Sequence, residues 1–135
     1  MAEGIFKELV RRDAEINQDG FEVRSAGTHA LDRSEAGDQT LTVLRERGLD
    51  MSRHRAQTIS QPLIDWSDLV LCMEKAHLDY LRLSFQATQG KLFLLTEYCG
   101  LQGDILDPSS KSTAVFRECA TQLEDLLGTL LSNIK

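Results

Sequence analysis

Asp68-Leu69-Val70-Leu71-Cys72-Met73 decides the fold. Five of these six side chains are apolar, and the run is too short for a core helix. At this length a continuous apolar run predicts a strand buried on both faces, as parallel sheets require. Residues 74–86 follow with Leu78, Leu81 and Phe85 at helical spacing. Lys91-Leu92-Phe93-Leu94-Leu95 is a second run of the buried-strand kind. Strand, helix, strand in this order reads as one βαβ unit.

Upstream, Phe21-Glu22-Val23-Arg24-Ser25 alternates after the Asp19-Gly20 turn signal and predicts a short strand. Residues 2–16 predict an amphipathic helix with Ile5, Phe6, Leu9 and Val10 on one face. Residues 36–47 predict a second helix ending at Gly48 as C′ glycine. Residues 61–67 predict a short helix with Pro62 in its first turn. Residues 97–112 read as a loop. The last helix spans about 113–133, with Phe116, Ala120, Leu123, Leu127, Leu130 and Ile134 as its stripe. The alternation argues an α/β fold with helices covering a parallel sheet. A bare helix in first place points to a strand missing in front of it.

The chain of 135 residues is the size of one ordinary domain, and no repeat or linker divides it. Hydrophobic residues make up 41%, too many for disorder at this charge. No apolar run is long enough to span a membrane, and the charged N-terminus is no secretory signal. The net charge of −6 argues against nucleic acid, because neither half is a basic module. The cluster Arg45, Arg47, Arg53 and Arg55 reads as a solvated helix end and loop. Cys72, Cys99 and Cys119 make no C-x-x-C and no zinc spacing. An odd cysteine count without a signal peptide fits a reducing cytoplasm, with Cys72 a buried free thiol. No metal or organic cofactor is expected.

Single residues carry weak chemical signals. Asp107, in Gly103-Asp104-Ile105-Leu106-Asp107-Pro108, is restricted by the proline after it and sits beyond a strand end. A carboxyl group there suits a general acid, although Asp-Pro pairs are commonly plain turn initiators. Ser25 lies just past a strand and suits a loop-shaping hydrogen bond or an ordinary turn. His54 stands in a polar segment, where a structural or exposed histidine is the common case. His29 and His77 have no partner in the pattern, and Trp66 reads as a packing residue.

Taken together, these pieces resemble the low-molecular-weight protein phosphatase family, which includes tyrosine and arginine phosphatases and thioredoxin-coupled arsenate reductases. Met1-Ala2-Glu3-Gly4-Ile5-Phe6 looks like the segment after its phosphate-binding loop. Arg24-Ser25-Ala26-Gly27-Thr28 looks like its second strand and loop, and residues 68–73 look like its third strand. Residues 103–108 look like its general-acid loop. The third strand and the stretch from Glu97-Tyr98 to Pro108 look most similar to the bacterial arginine phosphatases.

The resemblance implies a flavodoxin-like three-layer sandwich with a parallel sheet, and a phosphorylated protein as substrate. It implies a cysteine thiolate that attacks phosphorus and an arginine that clamps the phosphoryl oxygens, both on a C-x5-R loop at a helix N-terminus. Asp107 would protonate the leaving group and then activate water, while Ser25 and His54 would support the phosphate loop. The chain departs from this pattern at the centre. Leu78, Ile105 and Asp125 stand where an arginine would follow the three cysteines. The loop and the first strand, central in the family's sheet, are absent from these residues.

The expectation is therefore an N-terminally incomplete phosphatase-like domain, beginning at an internal methionine and inactive as it stands. The alternative is a non-catalytic interaction or structural relative. A reductase reading needs a close cysteine pair after the third strand, and Cys72 and Cys99 are too far apart. Unpaired buried backbone groups cost about 1–3 kcal/mol each. Total stability is only about 5–15 kcal/mol, so the gap predicts a marginal or repacked chain. Ser109 and Ser110 stand where tyrosine-directed members carry aromatics, which weakens a phosphotyrosine assignment. Oligomeric state is not legible.

Overall fold

A computed structural model describes residues 1–16, 20–29 and 33–134. Eight elements follow in chain order: α1 (Ala2–Arg12), α2 (Asp38–Glu46), α3 (Gln61–Trp66), β1 (Val70–Cys72), α4 (Lys75–Ser84), β2 (Leu92–Leu94), α5 (Leu95–Tyr98) and α6 (Thr113–Ile134). β1 and β2 pair in parallel, with Val70 opposite Leu92 and Cys72 opposite Leu94. The connection through α4 makes them the expected βαβ unit.

Alternation along the strands builds three layers. Val70, Cys72, Leu92 and Leu94 join Ile64 of α3 and Leu78 and Leu81 of α4 in one apolar cluster. Leu69, Leu71 and Met73 turn to the other face. There Ile5, Phe6 and Val10 of α1 meet Val43 and Leu44 of α2 and the long stripe of α6. The result, among the described residues, is an open α/β sandwich of the flavodoxin type whose parallel sheet has two strands and lacks the expected first one.

Local chemistry sets the boundaries. α2 ends in a Schellman turn: Gly48, at φ +78°, donates to Arg45 at 3.0 Å, and Leu49 donates to Leu44 at 2.9 Å. α3 begins at Ser60, whose hydroxyl accepts from Leu63 N–H, with Pro62 in the first turn. Lys91 Nζ donates to the Ile64 and Ser67 carbonyls at 2.6 and 3.1 Å, satisfying the C-terminal end of α3.

Several expectations fail, each for a physical reason. Residues 21–25 form no strand, because no described residue offers them a ladder; Asp19, part of the turn signal, lies outside the described residues. The first regular contact downstream is a parallel bridge from Gly27 to Thr58. The first helix stops at Arg12 rather than 16, with Asp13 already extended. Trp66 is 41% exposed, and the Arg24 guanidinium covers its ring at 4.2 Å, so it is a surface cation–π partner and not a packing residue. Phe93 is partly exposed against Tyr98, because β2 is an edge strand rather than one buried on both faces. Residues 95–98, read as strand end and loop, wind into α5. The arginine cluster is solvated except for Arg47, which donates to Glu124 Oε1 at 2.7 Å and ties α2 to α6.

Candidate functional site

Glu3 lies in the first turn of α1, on the flank that faces the 21–27 segment and the 50–57 loop. Its carboxylate gathers three groups. Ser25 Oγ–H donates to Oε2, Lys7 Nζ donates to Oε1 at 2.6 Å, and His54 Nδ1 stands 3.6 Å from Oε2. That last separation is too long for a hydrogen bond but close enough for charge to act. Burial pushes the Glu3 carboxyl up, but the bonds from Lys7 and Ser25 outweigh it and hold the group below its ordinary value. Ser25 and His54, expected to share one task, thus meet on one carboxylate.

The loops that carry them are pinned. Gly27 N–H donates to Gln57 at 2.9 Å, and Ile59 N–H returns to Gly27 at 2.9 Å. Gln57 Nε2 also reaches the Ser25 carbonyl at 3.0 Å. His54 N–H closes a turn on Met51 at 3.0 Å. An open polar cleft of about 370 Å³ runs along this edge, with Glu3, Lys7, Asp50, Arg53, His54 and Arg55 in its wall.

Asp107 is held from both sides of its loop. Upstream, Ile105 is buried and its N–H donates to the Met73 carbonyl at the end of β1, at 2.9 Å. Asp104 Oδ1 accepts from Lys75 N–H at 2.9 Å and so satisfies a free donor at the start of α4. Downstream, Ser109 donates to Asp107 Oδ1 through its N–H at 2.9 Å and its hydroxyl at 2.6 Å. Those two bonds hold the exposed carboxyl below its ordinary value. The contacts that anchor the loop around Pro108 come from Ile105, Asp104 and Ser109.

Other groups link the two halves. The Cys119 thiol, on α6, feels the charges of both the Met1 amino group and Asp107, and burial pushes it up. His77 is within electrostatic reach of Asp107, and His29 contacts Thr28 and the Tyr80 ring; both have partners the pattern did not show. Cys72 is buried and its thiol is pushed up to about 11 by desolvation, the opposite of an activated nucleophile. Among the described residues no group of three His, Cys, Asp or Glu side chains could hold a metal ion.

Glu3 and Ser109 escaped the sequence reading. The Glu3–Lys7 spacing was visible as an (i, i+4) pair. Nothing local shows that Ser25 and His54, far along the chain, would converge on the same carboxylate. Ser109 reads in sequence as the place of an absent aromatic, yet Asp-x-Ser is a common side-chain turn and Ser109 donates to Asp107.

Comparison with known proteins identifies the family and the fold. The chain is 34% identical to a protein-arginine-phosphatase of Geobacillus stearothermophilus over 117 residues, which is 86% of this chain and 78% of that one. It is 32% identical to the protein-arginine-phosphatase of Bacillus subtilis over 136 aligned positions, 100% of this chain and 87% of that one. Among solved structures, a low molecular weight protein tyrosine phosphatase from T. tengcongensis superposes with a TM-score of 0.91 at 30% identity, covering 98% of this chain and 88% of that one. Residues 1–135 match the family as a whole, and the chain belongs to the low molecular weight phosphotyrosine protein phosphatases.

Proposed function

We propose that the chain carries the scaffold, the loop-supporting residues and the acid–base carboxylate of a protein phosphatase directed to phosphoarginine rather than phosphotyrosine. We propose equally that these 135 residues taken alone do not hydrolyse phosphoryl groups. The convergence of Ser25 and His54 on Glu3 at the head of α1 carries the first part. A support for a phosphate loop is retained there, and a helix N-terminus is the natural cradle for a dianion.

Asp107 supplies the proton chemistry in this reading. Its protonated form gives a proton to the leaving nitrogen or oxygen, and its carboxylate then takes a proton from the attacking water. The two Ser109 bonds favour the carboxylate, the form needed in the second step. A phosphoryl dianion beside it raises its proton affinity for the first step. Ser109 and Ser110 support the preference for phosphoarginine, since no aromatic side chain stands there to flank a tyrosine ring. The arginine phosphatases among the relatives support it too.

The second part rests on the cysteines. None is followed by an arginine six residues on, and all three thiols are pushed up by burial. This observation also favours a second reading, a non-catalytic relative that keeps the fold for binding. One experiment separates them. The strand and C-x5-R loop of the Bacillus subtilis relative are joined ahead of Met1, and phosphate release from a phosphoarginine protein is measured. Turnover that falls about 10²–10⁴-fold with Asp107→Asn supports the phosphatase reading. A folded, inactive chimaera supports the binding module, and turnover by the unextended chain overturns the second part.

A further inference from the structure

We propose that the hydrogen bond from Lys75 N–H to Asp104 is the tie that positions Asp107 for proton transfer, with Asp104 and the first residue of α4 as positioning groups. The inference rests on the acid–base role proposed for Asp107.

Asp107 lies on a segment with few ties of its own. Leu106 is 73% exposed, and Asp107 is exposed beside it. The carboxylate is held by Ser109, two residues on, so those bonds shape the loop but travel with it. Downstream, the next bond to another element among the described residues is from Gln39 Nε2 to the Lys111 carbonyl, at 2.9 Å. The place of Asp107 is therefore set from upstream.

Three consecutive residues make that upstream anchor, each to a different part of the fold. The buried Thr96 hydroxyl, in α5, donates to the Gly103 carbonyl at 2.5 Å. Lys75 N–H donates to Asp104 Oδ1 at 2.9 Å. Ile105 N–H donates to the Met73 carbonyl, just past β1, at 2.9 Å. At Gly103 and Ile105 the loop uses main-chain groups, which any residue but proline supplies. Asp104 alone acts through its side chain, on a helix-end N–H that lacks an intrahelical partner. The tie fixes the loop to the first turn of α4, where His77 is within electrostatic reach of Asp107. A helix cap by itself stabilises α4 and nothing else. A tie to the acid loop also fixes where the proton is delivered, and a displacement of about 1 Å there costs up to about 100-fold in rate.

The bond can be cut from either side. Asp104→Ala removes the acceptor, and Asp104→Asn keeps one. Lys75→Pro removes the donor and suits α4, because Lys75 is its first residue and Glu74 is already extended, at φ −127° and ψ 150°. The variants are made in the extended chimaera, and kcat/KM is measured on phenyl phosphate and dinitrophenyl phosphate. With both esters the thiolate of the added loop bonds to phosphorus as the ester P–O bond breaks. Phenolate takes the Asp107 proton as it departs, whereas dinitrophenolate leaves without one. Asp104→Ala and Lys75→Pro are each expected to lower kcat/KM for phenyl phosphate about tenfold or more. Both leave dinitrophenyl phosphate within about twofold, since no proton is needed there. Asp104→Asn restores turnover of phenyl phosphate, and the double variant with Asp104→Ala and Lys75→Pro is no worse than either single one. Equal losses on both esters, no loss, or losses that multiply in the double variant would overturn the proposal. Where the chimaera cleaves neither ester, amide spectra of the 135-residue chain decide the tie. There Asp104→Ala and Lys75→Pro shift the Asp107 and Ser109 signals alike and Asp104→Asn returns them; unmoved signals overturn it. A chimaera that also leaves the phosphoarginine protein intact counts against the phosphatase reading and not against the tie.

Discussion

Replacing Glu3 with glutamine removes a charge and leaves the shape. In the folded chain the carboxylate accepts from Ser25 and Lys7, and its side chain is only 11% exposed. A hydrogen bond to a charged acceptor in that setting is worth about 1.5–3 kcal/mol. The Lys7 pair adds about 0.3–0.5 kcal/mol, since lysine is half exposed and the pair is a helical (i, i+4) contact. Relief of the carboxylate's desolvation and the amide's remaining acceptor offset part of this, leaving an expected loss of about 1–2 kcal/mol at pH 7. Urea denaturation measures it, with Ser25→Ala and the double variant completing a cycle. The coupling between the two sites is expected at about 1 kcal/mol or more. The pH dependence has a definite sign. The folded carboxyl lies below its ordinary value, so its stabilisation is present above about 4.5 and is lost as pH falls through the folded value. Wild type and Glu3→Gln therefore converge in acid. Additive single effects, or a difference that stays constant into acid, would refute the bond of Ser25 to the Glu3 carboxylate.

Further outcomes follow from the same structure. Leu123→Ala, at the buried interface of α6, costs about 2–5 kcal/mol. Leu83→Ala, 89% exposed, stays within about 0.5 kcal/mol, and the same urea curves measure both. With its thiol pushed up to about 11, Cys72 is ionised to roughly one part in a thousand at pH 8. Iodoacetamide should modify it in the folded chain about 100-fold more slowly than in urea, read by mass spectrometry of the labelled peptide. Ser109→Ala removes one of the two donors to Asp107, so the Asp107 carboxyl rises toward its ordinary value; a carbon-detected NMR titration reads the shift, and no rise would show that the hydroxyl does not hold it.

How much of this was legible depends on range. β1, α4 and β2 follow from two apolar runs separated by a 3.6-period stretch, because short apolar runs flanking a helical period mark a βαβ unit, although Phe93 shows that such a run does not guarantee burial on both faces. Gly48 and Pro62 marked their helix ends, because those positions demand particular backbone geometry. Residues 21–25 have the alternation of a strand, but a ladder needs a neighbour, and no local pattern encodes one. Trp66 reads as core because it is a large ring beside apolar residues, whereas Arg24, distant in sequence, covers it at the surface. The site divides in the same way. Asp107 was visible through Pro108, and Ser25 and His54 through family resemblance. Glu3, which joins two of them, was visible only as one member of a surface ion pair.

The central claim is that among the described residues β1 pairs on one side alone, with the proposed site residues gathered beyond its open edge. Hydrogen exchange of the Leu71 and Cys72 amides tests it most directly. Cys72 N–H points into the β1–β2 ladder and should exchange at least 100-fold more slowly than Leu71 N–H, which points into the gap. Equal strong protection of the two amides in the free monomer would contradict the account.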